Sequence, residues 1–274
     1  MSNTKELTIS EVQHVMWQMV TEAIEFMETN HLHYVLTGGS ALGAVRHQGF
    51  IPWDDDVDIA LPRDEYEWFI REFTSEAPTF KLRNLSTTSE WFYAYSRIVD
   101  TETQSEGRWA QMNTGVFIDI FPLDAVPQNG MMRRLVFSAM KGLDVLRNST
   151  RRVAFRTDEK HKWVKQLLTG LTKRVGTATF ATMQQQLALS VNRRYANKTN
   201  LLDLFVISGL NGARELMTVD AVRTADVATF NGLAVRVPQD VNNYLTELYG
   251  DDYMQLPVYA KRKTHATYKK RFNK

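Results

Sequence analysis

The amino-acid sequence predicts an α+β fold, with a mixed β-sheet core flanked by helices and carrying a helical insertion. Three patterns predict it. Val12, Val15, Met16, Met19, Ala23 and Met27 recur at three- and four-residue spacing, the period of an amphipathic helix. Val57, Ile59 and Leu61 alternate with Asp56, Asp58 and Ala60, the period of a strand. Near the other end, residues 227–237 are apolar and split by Asn231-Gly232, a pair suited to the tight type I′ turn of a hairpin.

The elements follow in order. The opening helix stops at Asn30, and Tyr34-Val35-Leu36 reads as a short buried strand running into a Gly38-Gly39 turn. Residues 40–47 begin a second helix. Pro62 closes the strand at 57–61, and Asp64 is placed to cap a helix carrying Trp68, Phe69 and Phe73. Strands are predicted at 79–85, 92–99 and 115–121. Residues 131–197 show helical periodicity without a strong strand, and a helix near 240–249 precedes a basic tail. This gives a catalytic core at 1–130 and a basic helical region at 131–200. A C-terminal part at 201–274, with hairpin, helix and tail, packs on the core.

Composition narrows the chemistry. The chain has 274 residues, 43% of them hydrophobic and 23% charged, within the globular range. Cysteine is absent, which excludes disulfides, thiolate zinc sites and cysteine nucleophiles. The first residues carry no apolar leader-like run, and no stretch of about 18 apolar residues occurs; a cytoplasmic protein is expected. Charge is uneven. Residues 1–130 hold 8 Lys/Arg against 20 Asp/Glu, whereas residues 131–174 hold 12 against 3. That split suggests carboxylates gathered for a metal in one part and a surface facing something anionic in the other. An acidic catalytic half argues against nucleic-acid binding.

The informative stretch runs from Gly38-Gly39-Ser40 to Asp54-Asp55-Asp56-Val57-Asp58. Two glycines after a strand allow a close backbone approach, and the following helix start presents N–H groups to an anion. Asp56 and Asp58 share a parity, so both carboxylates face one way, and Asp54 shares it too. Carboxylates that close repel each other until a hard divalent cation joins them; Mg²⁺ (or Mn²⁺) is the expected ion. A calcium loop starting at Asp54 is rejected, because Ile59 occupies the position where that loop needs glycine. Asp119, between Ile118 and Ile120, is a charge in an apolar strand and needs a partner. The metal, an acceptor hydroxyl or a salt bridge to Arg97 would each serve.

These residues resemble the LicD family of phosphotransferases in the nucleotidyltransferase superfamily. The resemblance is carried by Gly38-Gly39-Ser40 with Gly43-Ala-Val-Arg46-His47, by Gly49-Phe-Ile-Pro-Trp53-Asp54-Asp-Asp56-Val-Asp58, by Phe117-Ile-Asp119-Ile-Phe-Pro-Leu-Asp124, and by Tyr244-Leu-Thr-Glu-Leu-Tyr249-Gly250 with Lys261-Arg262. It implies a nucleotidyltransferase-like core in which Asp56, Asp58 and Asp119 ligate Mg²⁺ and carry catalysis. The donor would be a CDP-alcohol, most simply CDP-choline. The acceptor would be the hydroxyl of a cell-surface glycan, teichoic acid or lipopolysaccharide, or of a lipid-linked precursor.

On this reading Gly38, Gly39 and Ser40 hold donor phosphate, with Arg46, Lys261 and Arg262 adding positive charge. An aromatic cage for choline would draw on Trp53 first, then Trp91, Phe92, Tyr93 and Tyr95, with core packing as the rival explanation. The basic segment, with Met131, Met132, Leu135, Val136, Phe137, Met140 and Leu143, suits either an anionic membrane surface or a solvated helix pair. The functional alternatives are a nucleotidyltransferase and a non-catalytic nucleotide- or glycan-binding protein.

Overall fold

In the computed structural model, residues 5–106, 114–152, 161–207, 211–259, 262, 264 and 266–271 are described. The chain begins with α1 (Ile9–Thr29), β1 (Val35–Leu36), α2 (Gly38–His47), β2 (Asp58–Pro62) and α3 (Arg63–Glu72). Next come β3 (Phe80–Arg83), β4 (Ser96–Asp100), β5 (Thr103–Glu106) and β6 (Phe117–Ala125). Three helices follow, α4 (Gly130–Thr150), α5 (Lys162–Val175) and α6 (Thr177–Tyr195). The chain closes with β7 (Leu201–Asp203), β8 (Met217–Thr218), α7 (Val219–Arg223), β9 (Asp226–Phe230), β10 (Leu233–Val237), α8 (Val241–Tyr249) and β11 (Thr267–Lys270). The α+β architecture expected from the sequence is the one found. No helix among the described residues is long and apolar enough to cross a membrane.

The sheet is mixed and runs β1-β2-β6-β4-β3, with β7 joining β6 and β8 joining β7. Its middle strand, β6, lies parallel to β2 and antiparallel to β4. Residues 118–125 are all buried, because α1, α3 and α6 all pack on this strand. Pro122 is tolerated in such a central position because β4 pairs only with 117–120 and β7 only with 124–125. The missing N–H falls at the junction between them.

α1 starts on a capping box, Thr8 accepting from the Glu11 N–H while the Glu11 carboxylate accepts from the Thr8 N–H. It buries Met16, Met19, Val20, Ala23 and Met27 and ends at Asn30, as the periodicity predicts. Asp64, expected as a cap, lies inside the first turn of α3, which begins directly after Pro62. The hairpin β9–β10 turns at Asn231-Gly232 with φ of 49° and 85°, the conformation a type I′ turn demands. Two short pairings escape the sequence pattern. β5 pairs with β11, and β7 carries β8, through segments too short and polar to show alternation.

One buried ion pair ties a helix to the central strand. Arg63 Nε and Nη2 donate to the two oxygens of Asp124 at 2.7 and 2.6 Å. Asp124 is fully buried, so this carboxylate is structural. Among the described aromatics, Trp91, Phe92 and Tyr95 are core residues as well. Trp91 Nε1 donates to the Tyr95 carbonyl at 2.8 Å, and Tyr95 packs on Phe121. Tyr93 is half-buried beneath the Arg97 guanidinium, 4.4 Å from its ring centre. For these four, the core-packing alternative is the one found.

Candidate active site

The glycine turn and the aspartates meet at one end of β1 and β2. These strands pair antiparallel, with Leu36 opposite Ile59. The Thr37 N–H then donates to the Asp58 carbonyl at 3.1 Å, and the Asp58 N–H donates to Ser40 Oγ at 2.8 Å. Gly38 adopts φ +53°, a region that side chains resist, which turns the chain into α2. A methyl group on Gly38 would stand 3.4 Å from Asp58 Oδ2, and one on Gly39 3.1 Å from Asp54 Oδ2. The glycines therefore admit carboxylates at the start of α2, where the helix dipole favours negative charge.

The parity read from the sequence holds, although β2 begins at Asp58 and leaves Asp56 in the preceding loop. Asp54, Asp56 and Asp58 line a cleft of about 800 Å³ with Gly38, Gly39 and Glu215. Asp55 is buried and accepts from the Ala266 N–H at 2.9 Å, pinning the C-terminal strand. Glu65, the residue a calcium loop would recruit, bonds His33 at 2.8 Å instead. A larger groove of about 1160 Å³ runs along α1. Its Glu11 and Glu22 are engaged by Lys5 and by Ser75 with the Glu76 N–H.

Asp119 lies directly opposite Asp58 in the β2–β6 register. Of the partners open to it, the structure draws Arg97, whose Nε and Nη2 donate to Asp119 Oδ1 and Oδ2 at 2.5 and 3.1 Å. Both groups are buried. Burial raises the Asp119 carboxyl to about 6 against the pull of Arg97, and Asp56 adds to the rise. Asp58 is driven well above the usual carboxylate range, by burial first and then by Asp56, Asp119, Asp54 and Glu215.

Among the described residues, no three His, Asp or Glu side chains already close around one point as a ligand shell. The acids are near neighbours that repel one another. That donor set fits a hard divalent cation, which converts the mutual penalty into attraction.

The site roles of Glu215 and Tyr244 emerge only from the fold. The Gly38 N–H donates to Tyr244 Oη at 2.9 Å. The Tyr244 hydroxyl donates to Glu215 Oε2 at 2.8 Å, and Asn211 donates to its other oxygen at 2.6 Å. Burial raises the Glu215 carboxyl. This relay locks the glycine turn to α8. It also occupies one N–H expected to hold phosphate, just as the β2 backbone occupies Ser40 Oγ.

The remaining predicted residues shape the cleft wall. Arg46 Nη1 donates to the carbonyls of Tyr253 and Gln255 at 2.6 and 3.2 Å. Arg262 donates to the Pro257 carbonyl at 3.0 Å and stacks over Trp53, 4.9 Å from its ring centre. Both cations thus tie down residues 253–257. Lys261 lies outside the described residues. Trp53, Tyr249 and Tyr253 line the same cleft.

Comparison with known proteins bears on this site. Residues 31–151 match the family model for the LicD/FKTN/FKRP nucleotidyltransferase domain, a span containing the glycine turn, all four aspartates and Arg97. The chain is 29% identical to the lipopolysaccharide cholinephosphotransferase LicD of Haemophilus influenzae, over 95% of this chain and 97% of that protein. It is also 37% identical to an uncharacterized protein of Rickettsia typhi, over 23% of this chain and 21% of the relative.

Proposed function

Because this chain belongs to the LicD family of transferases, we propose that it moves phosphocholine from CDP-choline to a glycan hydroxyl, and that a divalent cation is required. The observation that carries the reading is the cluster of Asp54, Asp56 and Asp58 against the Gly38-Gly39 turn in an open cleft. The acceptor class follows the lipopolysaccharide of the full-length relative, with teichoic acid as another glycan of the same chemistry.

Asp56 and Asp58 would hold Mg²⁺ or Mn²⁺, with Asp54 beside them and Asp119 as the third acid. Such an ion would supply positive charge to the donor pyrophosphate, whose P–O–P anhydride is the bond broken when CMP leaves. Burial and the neighbouring Asp56, Asp119, Asp54 and Glu215 disfavour the ionised form of Asp58, and a cation would relieve that penalty. Arg97 holds Asp119 by both oxygens and fixes its orientation, which makes Asp119 a positioning carboxylate. The acceptor oxygen forms the new bond to phosphorus, its proton passes to a cleft carboxylate, and CMP departs with the electrons of the broken P–O bond. The rings of Trp53, Tyr249 and Tyr253 together with the acids suit a quaternary ammonium.

Full-length protein incubated with CDP-choline, Mg²⁺ and lipopolysaccharide should release CMP and add the mass of phosphocholine to the glycan. Addition of a nucleoside phosphate mass would establish nucleotidyl transfer instead. No turnover with any CDP-alcohol would favour a binding protein.

A further inference from the structure

Helix α5 is arranged inside out. Its buried face carries Thr169 and Thr172, at 5% and 4% exposure, whereas Trp163, Leu167, Leu171 and Val175 stand 70%, 59%, 54% and 49% exposed. Thr169 bonds Ser149 of α4 at 3.1 Å, and Thr172 donates to the Leu168 carbonyl of its own helix at 2.9 Å. A helix folding against water buries its apolar arc and leaves threonine outside. Here Trp163, Val164, Leu167, Leu171 and Val175 fall on one arc of about 120°, and that arc faces away from the molecule. Among the described residues, the helix packs mainly on α4 and α6.

The sequence placed the membrane-suited residues on α4, but the structure moves them. Met140 is fully buried, and Val136 and Phe137 pack against the core. Leu143 is partly buried. Exposed apolar side chains on α4 are separated into Met131, Met132 and Leu135 at its start and Val145 further along. Among the described residues, α5 combines an outward apolar arc with unopposed charge. Its fourteen residues include Lys162, Lys165, Lys173 and Arg174 and no acid.

We infer that α5 is a membrane-surface helix, lying in the headgroup region of an anionic bilayer with Trp163, Leu167 and Leu171 inserted. An outward apolar arc supplies insertion, and cations without acids select negative headgroups. A protein partner would serve the apolar arc equally, but the uniform positive charge matches a lipid surface more closely than a mixed protein interface. The inference stands apart from the phosphotransferase reading, since it concerns where the chain works and not what it transfers.

Flotation of the full chain with vesicles tests it, using phosphatidylcholine alone and phosphatidylcholine with about one-third phosphatidylglycerol. The wild type should float with the anionic vesicles and stay behind with the neutral ones. The surface variant Leu167→Glu/Leu171→Glu should lose at least about tenfold in partitioning, with an unchanged melting temperature. The site variant Asp56→Asn should float like the wild type. Absence of flotation with anionic vesicles, or equal flotation of the Leu167/Leu171 variant, overturns the inference. So does sedimentation showing a wild-type dimer that this variant abolishes, for then the arc is covered by a second copy. A wild type that floats with anionic vesicles but transfers nothing from CDP-choline would count against the proposed reaction only.

Discussion

Replacing Asp58 by asparagine should stabilise the ion-free chain while abolishing transfer. Asp58 is raised by burial and by Asp56, Asp119, Asp54 and Glu215, so the cluster opposes its own ionisation. For its register partner Asp119, a rise from the usual 3.8 to about 6 corresponds to about 3 kcal/mol between protonation states. The sign follows directly. An acid raised in the folded state costs nothing while protonated, so its contribution is fully present below about pH 4 and is lost as pH climbs through about 6. In chelator, the wild-type melting temperature should therefore fall between about pH 4 and about pH 7 relative to the variant. At neutral pH the variant should melt above the wild type.

Adding Mg²⁺ should raise the wild type and leave the variant unmoved, because only the carboxylate set gains from the ion. Scanning calorimetry with and without Mg²⁺ across that pH range reads all of this. Two curves that stay parallel from acid to neutral pH would refute the view that these carboxylates repel one another across the cleft.

Asp56→Asn should lower transfer at least about 10³-fold with the circular dichroism spectrum and melting temperature preserved, since it removes a ligand and no core packing. Tyr244→Phe should cost about 1–3 kcal/mol by leaving the Gly38 N–H and Glu215 short of a partner, and should slow turnover; denaturant melts and kcat report the two effects. Asp124→Asn should cost about 3–5 kcal/mol by stranding the buried Arg63 guanidinium, visible as a lower melting temperature. Trp53→Ala should raise KM for CDP-choline more than it lowers kcat, as measured by CMP release; an unchanged KM would remove Trp53 from the headgroup site.

Much of the site was legible because its chemistry is local. Gly38-Gly39 and Asp54, Asp56 and Asp58 lie within about twenty residues, and the three aspartates line one cleft although only Asp58 is on the strand. The Arg97–Asp119 pair was among the partners open to that buried charge, though nothing in the spacing selected it. Glu215 gave no local signal, and Tyr244, though part of the stretch that carries the family resemblance, was given no role in the site. They arrive from more than 170 residues away in sequence and reach the glycine turn because α8 packs against α2 and the short turn Gly212–Glu215 packs against α8. Ser40 and Arg46 were recognised as site residues, yet their atoms serve the β2 backbone and the 253–255 carbonyls.

What the chain determined by itself was periodicity and composition: which segments are helix or strand, which aspartates share a face, and that the middle of the chain is positively charged. Those follow from dihedral preferences and side-chain spacing, which act over a few residues. The tertiary structure alone decided which acid faces the cleft and which is locked to an arginine, separating Asp54 from Asp124. It also decided that α5 turns its threonines inward and its tryptophan out. Burial is a property of what packs against a residue, and the packing partners come from distant parts of the chain.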